Sequence, residues 1–134
     1  MSLTAESIAQ ANLKESQRPQ AFFEDFAQSV THYQDEDIWV IDKPYGLLSV
    51  DGRELKVSLQ SRLLKANPEV KLIHRLDMDT SGLIIFAKNA AAQSHISKQF
   101  IERIPTKEYQ AVVWGTPPHH AELHVPLRSE PTTK

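Results

Sequence analysis

Residues 71–89 read KLIHRLDMDTSGLIIFAKN, two aliphatic runs joined by the six residues DMDTSG. A link that short cannot contain the crossover that parallel strands need, so two strands joined this way lie antiparallel. The junction is also unusually charged, with His74, Arg75, Asp77 and Asp79 close together. An acidic group held between buried strands is costly unless it is paired or used. Asp77 is therefore the residue to explain.

The remaining elements follow from periodicity and turn chemistry. DIWVIDK (37–43) reads as a strand, and KPYGLLSV (43–50) as a bend at Pro44 and Gly46 leading to a short strand. A helix is predicted from Val57 to Ala66, closed by Asn67 and Pro68. Strands are predicted over 71–76 and 82–88. Asn89 is placed to cap a helix over 90–104, where Ala92, Ile96, Phe100 and Ile104 share one face before Pro105. KEYQAVVWG (107–115) alternates Tyr109, Ala111 and Val113 against Glu108 and Gln110, the pattern of a strand, and AELHVPL (121–127) reads as another extended segment. Ahead of these lies a polar leader, residues 1–34, broken at Pro19, with one short docked helix over 21–30 around Phe22, Phe23 and Phe26. The class is α+β, with a mixed, mainly antiparallel sheet and flanking helices. Nothing after 121–127 closes the sheet, so an open, apolar edge prone to self-association is expected.

Composition narrows the function classes. The 134 residues include no cysteine, which excludes disulfides, thiolate zinc sites and cysteine nucleophiles. No apolar run is long enough to span a membrane, and the N-terminus lacks a basic-then-apolar signal, so a cytoplasmic protein is expected. The net charge is −2, but residues 1–42 carry −6 and residues 43–134 carry +4. A mildly basic part thus follows an acidic leader, a split that does not by itself identify a partner.

Four roles are open to HRLDMDTSG from its residues alone. Asp79 and Thr80 could cap a plain structural turn with Gly82 packed closely. Asp77, Asp79 and His74 could bind a metal, although that spacing is common; His120 and His124 are weaker candidates, set among prolines. Asp77 and Asp79 could begin an aspartate-based phosphoryl-transfer site, but later lysine and acidic-pair elements are missing. Lastly, Asp77 could be a nucleophile attacking a sugar or an activated base carbon. That role needs a cation to keep it ionised and a second group to move a proton, for which Arg75, Lys43 and Tyr109 are available.

Taken in order, DIWVIDKPYGLLSV, HRLDMDTSGLIIFAKN and KEYQAVVWG resemble the RluA-type pseudouridine synthases over about residues 35–127. The resemblance is to short members without an S4-like module. It implies an RNA uridine-to-pseudouridine isomerase needing no metal or organic cofactor, acting on tRNA or rRNA stem-loops. Asp77 matches the attacking aspartate, Tyr109 the tyrosine that stacks on the target base, and Arg75 the arginine that takes the flipped uridine's place. Leu76, Thr80, Ser81 and Gly82 shape the loop, while Lys43 and Pro44 match a block beside the cleft; His74, Lys43, Thr80 and Ser81 are counted with Arg75 as RNA-facing. The family sequence continues for about a hundred further residues, roughly another domain half, with a GRxHQ(I/L)R-like segment that pairs with the nucleophile. Residues 35–134 are accordingly expected to be the N-terminal half of a catalytic domain, inactive alone. The rival reading is a non-catalytic RNA-binding module that keeps the enzyme's shape.

Overall fold

The computed structural model describes residues 3–128. Its centre is a hairpin-like pair, β2 (Ile38–Lys43) and β4 (Gly82–Ala87), antiparallel and in register from Ile38↔Ala87 to Lys43↔Gly82. Strand alternation puts Trp39, Ile41 and Lys43 on the same face as Phe86 and Ile84, and all five are buried. α2 (Gln20–Val30) and α3 (Leu59–Ala66) cover this face with Phe23, Ala27, Leu59 and Leu63. Full burial of each large side chain contributes about 1.5–3 kcal/mol, so this layer is the main source of cohesion. Ser58 starts α3 with a reciprocal capping box to Ser61.

Two further strands complete the sheet in the order β1-β2-β4-β3, all antiparallel: β1 (Thr31–Gln34) beside β2, and β3 (Lys71–Leu72) beside β4. The α+β class holds. Parallel pairing is confined to an isolated Leu48↔Ser58 bridge. α4 (Ala90–Ile101) follows β4, with the Asn89 side chain accepting the Ala92 N–H at 2.8 Å. It ends earlier than its apolar repeat predicts: Arg103 turns to a φ of 56°, and Ile104 is left exposed.

The polar leader is more structured than its composition suggests. α1 (Ala5–Ser16) buries none of its residues, which is why no amphipathic signal marks it. Polar contacts dock it instead. The Glu15 carboxylate accepts from Arg62 Nε at 2.6 Å and Nη2 at 3.0 Å, and from Arg18 Nε at 2.7 Å. Burial works to raise the Glu15 pKa, but these guanidinium hydrogen bonds outweigh it and hold the carboxyl below its ordinary value. The Asn12 amide donates to Glu54 O and accepts from the Lys56 N–H. α2 and β1 share the core and the sheet, so the expected division at residue 34/35 cuts through one packed unit.

Several predicted strands are absent, each for want of a partner. The 43–50 segment forms a turn rather than a short strand, with Gly46 at φ +81°. The 71–76 strand stops at Leu72, because its continuation is hydrogen-bonded to that turn instead of to β4. Residues 107–115 and 121–127 form no strand; their alternating pattern has no neighbouring backbone here to take up its N–H and C=O groups. Val112, Trp114 and Leu127 are exposed accordingly.

Where β3 ends, a side chain continues the β4 edge. His74 Nε2 accepts the Ile85 N–H at 3.0 Å, and its ring stacks on Phe100 with centroids 4.4 Å apart. Burial, aided by the charge of Lys107, pushes the His74 pKa below its ordinary value. A histidine kept neutral by the fold contributes stability that is complete above its unfolded pKa of about 6.5 and is lost as pH falls from there through the folded pKa. The urea midpoint should therefore drop between pH 7.5 and 5.5. His74→Gln should lose about 1 kcal/mol at pH 7.5 and show a flatter decline, whereas parallel pH profiles for the two proteins would clear His74 of the effect.

Candidate active site

The turn that follows β2 is the template on which the Asp77 loop is built. Lys43, fully buried at the end of β2, donates from Nζ to the carbonyls of Pro44 at 3.0 Å, Leu47 at 2.6 Å and Met78 at 3.1 Å. Those three bonds use every donor of an ammonium. Burial lowers the Lys43 pKa, against the opposing pull of the Asp79 and Asp77 charges. The Gly46 N–H, oriented by the positive φ of its residue, also donates to Met78 O at 2.9 Å. Ser49, 3% exposed, accepts the Leu76 N–H at 2.9 Å and donates its hydroxyl to Leu76 O. The residues on either side of Asp77 are thus both held by the 43–49 turn. A tight turn follows, in which the Thr80 N–H donates to Asp77 O at 3.0 Å.

Asp77 itself is exposed rather than enclosed between strands, because the two aliphatic runs part before reaching it. Among the described residues its carboxylate takes part in no hydrogen bond or ion pair. The result is a rigid backbone carrying an uncommitted carboxylate, with the Lys43 charge close enough to interact with it. Arg75 is also exposed and makes no ion pair among the described residues.

A cleft of about 1070 Å³ opens beside this loop. Thr80 and Ser81 line one side, Tyr109 the other, with Val40 and Ile85 beneath and His74 and Phe100 at the wall. Tyr109 is 64% exposed, so its ring is available for stacking. Asp77, Arg75 and Lys43 do not line this cleft. Of the residues singled out by sequence, the structure gathers His74, Thr80, Ser81 and Tyr109 there, and sets Asp77 and Arg75 on the adjoining loop.

The geometry revises the expected RNA-facing set. Lys43 has no donor left for a phosphate, and His74, neutral and engaged with Ile85, offers no positive charge. Both brace the site. Among the described residues no group of His, Asp or Glu is arranged to hold a metal ion, so Asp77, Asp79 and His74 do not converge as ligands. No helix there is long and apolar enough to cross a membrane. Ser49 and Gly46 emerge as supports that the sequence reading passed over. A lone serine closing the apolar stretch Gly46–Leu47–Leu48 was the available signal for the first.

Comparison with known proteins supplies the context for this loop. The model of the RNA pseudouridylate synthase family matches residues 37–133. The dual-specificity RNA pseudouridine synthase RluA of Escherichia coli K12 is 47% identical over 98 residues, covering 71% of this chain and 45% of that protein. Its Vibrio cholerae counterpart is likewise 47% identical over 98 residues, covering 71% of this chain and 40% of that protein. This chain therefore spans less than half the length of these relatives. Among solved structures, human RNA pseudouridylate synthase domain containing 4 shares the fold with a TM-score of 0.50, at 23% identity, over 64% of this chain and 36% of that one. With the family model covering everything from the start of β2 onward, including the clamped loop and Tyr109, the chain belongs to the RNA pseudouridylate synthase family.

Proposed function

We propose that this chain carries the nucleophile-bearing portion of an enzyme that converts uridine to pseudouridine in structured RNA, with tRNA and rRNA stem-loops as the substrate class. The observation that carries this reading is Asp77, whose neighbours on both sides are fixed while its carboxylate remains exposed and unpaired. A residue capping a structural turn would spend its carboxylate on local N–H groups, as Asp35 does with Asp37 and Ile38.

The residues divide the work as follows. Asp77 attacks the target uridine, so that the base detaches, rotates and rejoins through carbon 5, and the carboxylate is released unchanged. Tyr109 presents its ring to the base across the cleft. A phenol of ordinary pKa near 10 is a poor base at neutral pH, which makes stacking its principal role. Arg75 fills the gap left in the RNA stack by the flipped uridine; its planar guanidinium can stack on bases and bond to phosphate, offsetting an unstacking cost of a few kcal/mol. Thr80 and Ser81 line the approach. No metal or organic cofactor enters this scheme.

A nucleophilic carboxylate also needs a cation facing it. Lys43 sits behind the loop with its donors spent, and Arg75 makes no pair with Asp77 among the described residues. The purified 134-residue chain is accordingly expected to form no pseudouridine on a tRNA or rRNA stem-loop. A protein spanning the full length of the relatives should form it, and Asp77→Asn in that protein should reduce turnover by roughly a thousandfold or more. Full turnover by the Asp77→Asn protein would instead favour an RNA-binding module that has only the enzyme's shape; that module would also lose affinity on Arg75→Ala.

Lys43 gives a separate check on the architecture. Lys43→Met leaves the Pro44, Leu47 and Met78 carbonyls short of a buried donor, a loss of about 1–3 kcal/mol. It also frees Met78 beside the nucleophile. A lower melting temperature together with reduced product is expected. An unchanged melting temperature would show that the buried ammonium does not hold the loop.

A further inference from the structure

We propose that Ser49 is a positioning residue for Asp77, acting through the backbone of Leu76 to set the direction in which the carboxylate is presented. This rests on Asp77 being the nucleophile. One buried oxygen takes the Leu76 N–H at 2.9 Å and gives its own proton to the Leu76 carbonyl. It therefore does for Leu76 what the two backbone groups of a strand neighbour would do, across a separation of 27 residues.

The anchor is itself rigid. The Ser49 carbonyl accepts the Gln60 N–H at 3.0 Å, and the Leu48 carbonyl accepts the Leu59 N–H at 2.7 Å, so the segment is fastened to the start of α3. Leu59 and Leu63 root that helix in the core with no exposure. A continuous path of short contacts thus leads from the core, through α3 and Ser49, to the residue before the nucleophile. On the other side of Asp77, Gly46 and Lys43 hold Met78. The two holds differ in kind. The Met78 carbonyl is a pivot gripped at one atom, whereas Ser49 grips both polar groups of Leu76 and so fixes the orientation of its peptide planes. With only the pivot left, Asp77 could swing while staying near its place. An error of about 1 Å in the position of a reacting group can cost on the order of a hundredfold in rate.

The test compares Ser49→Ala, which removes the hydroxyl, with Ser49→Thr, which keeps it. Amide hydrogen exchange on the 134-residue chain reads the clamp without any need for activity. Ser49→Ala should lose protection at the Leu76 amide by roughly tenfold or more while the Gly46 amide keeps its own, and Ser49→Thr should behave like the parent. In the full-length protein, Ser49→Ala should lower kcat roughly ten- to a hundredfold with KM for the RNA stem-loop unchanged, and Ser49→Thr should recover most of the loss. A merely structural serine would instead lower the melting temperature and leave kcat of the folded protein alone. Unchanged Leu76 protection, or an unchanged kcat in folded Ser49→Ala, overturns the proposal. If Ser49→Ala does not fold, Ser49→Cys, a weaker donor and acceptor, should fall between the two, and its parity with the parent overturns the proposal equally. A full-length parent that makes no pseudouridine defeats the catalytic reading; the clamp is then decided by Leu76 exchange alone.

Discussion

The ammonium of Lys43 is buried without exposure and bonded to three backbone carbonyls, and the placement of Asp77 depends on it. A buried charge is tolerated only when its hydrogen-bonding capacity is met. Two of the acceptors, Pro44 and Leu47, belong to the turn after β2, and the third, Met78, lies 35 residues away. Satisfying one charge therefore brings together two segments that have no strand pairing with each other. An ammonium suits this better than a guanidinium, because its three donors diverge from a single atom, while the guanidinium presents a flat fork. The same charge lies within reach of the Asp77 and Asp79 carboxylates, so the brace also supplies positive potential under the loop.

Polar clamping recurs at the N-terminus, where it takes the place of apolar packing. α1 buries no residue, yet Glu15 links it to Arg62 of α3, and the Arg18 guanidinium lies 3.9 Å from the Phe22 ring centroid. The Arg62 guanidinium, 4.7 Å over Phe26, carries the contact into the aromatic surface of α2. This layer stands behind α3, the helix to which Ser49 is fastened. Residues 5–16 lie outside the region matched by the family model, but they brace the helix that supports the loop.

How much of this was legible in the sequence varied with the range of the forces involved. β2, β4, α3 and the start of α4 were clear because alternation, the Asn89 cap and the Asn67–Pro68 stop are local signals. Asp77, Arg75 and Tyr109 stood out through motif order, and Asp77 and Tyr109 lie where a nucleophile and a stacking ring can be used. The exposure of Asp77 was not legible: the flanking aliphatic runs look continuous, and only the competition from Ser49 for Leu76 shows that the first run leaves the sheet. Lys43 and His74 were misplaced for a related reason. A lysine and a histidine beside a binding motif suggest phosphate contacts, and nothing local reveals that three distant carbonyls and the Ile85 amide claim them first. α1 escaped notice because its docking is ionic and its helix has no apolar stripe.

The two parts of the candidate site differ in what holds them. The Asp77 loop is secured entirely by residues 43–78, through contacts that are complete within the described chain. Tyr109 has no such support. It lies in an extended segment whose neighbours Val112 and Trp114 are fully exposed, and whose backbone enters no ladder. A ring that must meet a base at stacking distance cannot be placed by a segment free to move, since orienting it during binding would cost conformational entropy. The nucleophile is therefore preorganised by this chain alone. The stacking residue requires a further backbone alongside 107–115, and the alternation of Tyr109, Ala111 and Val113 is the pattern that such a neighbour would recognise.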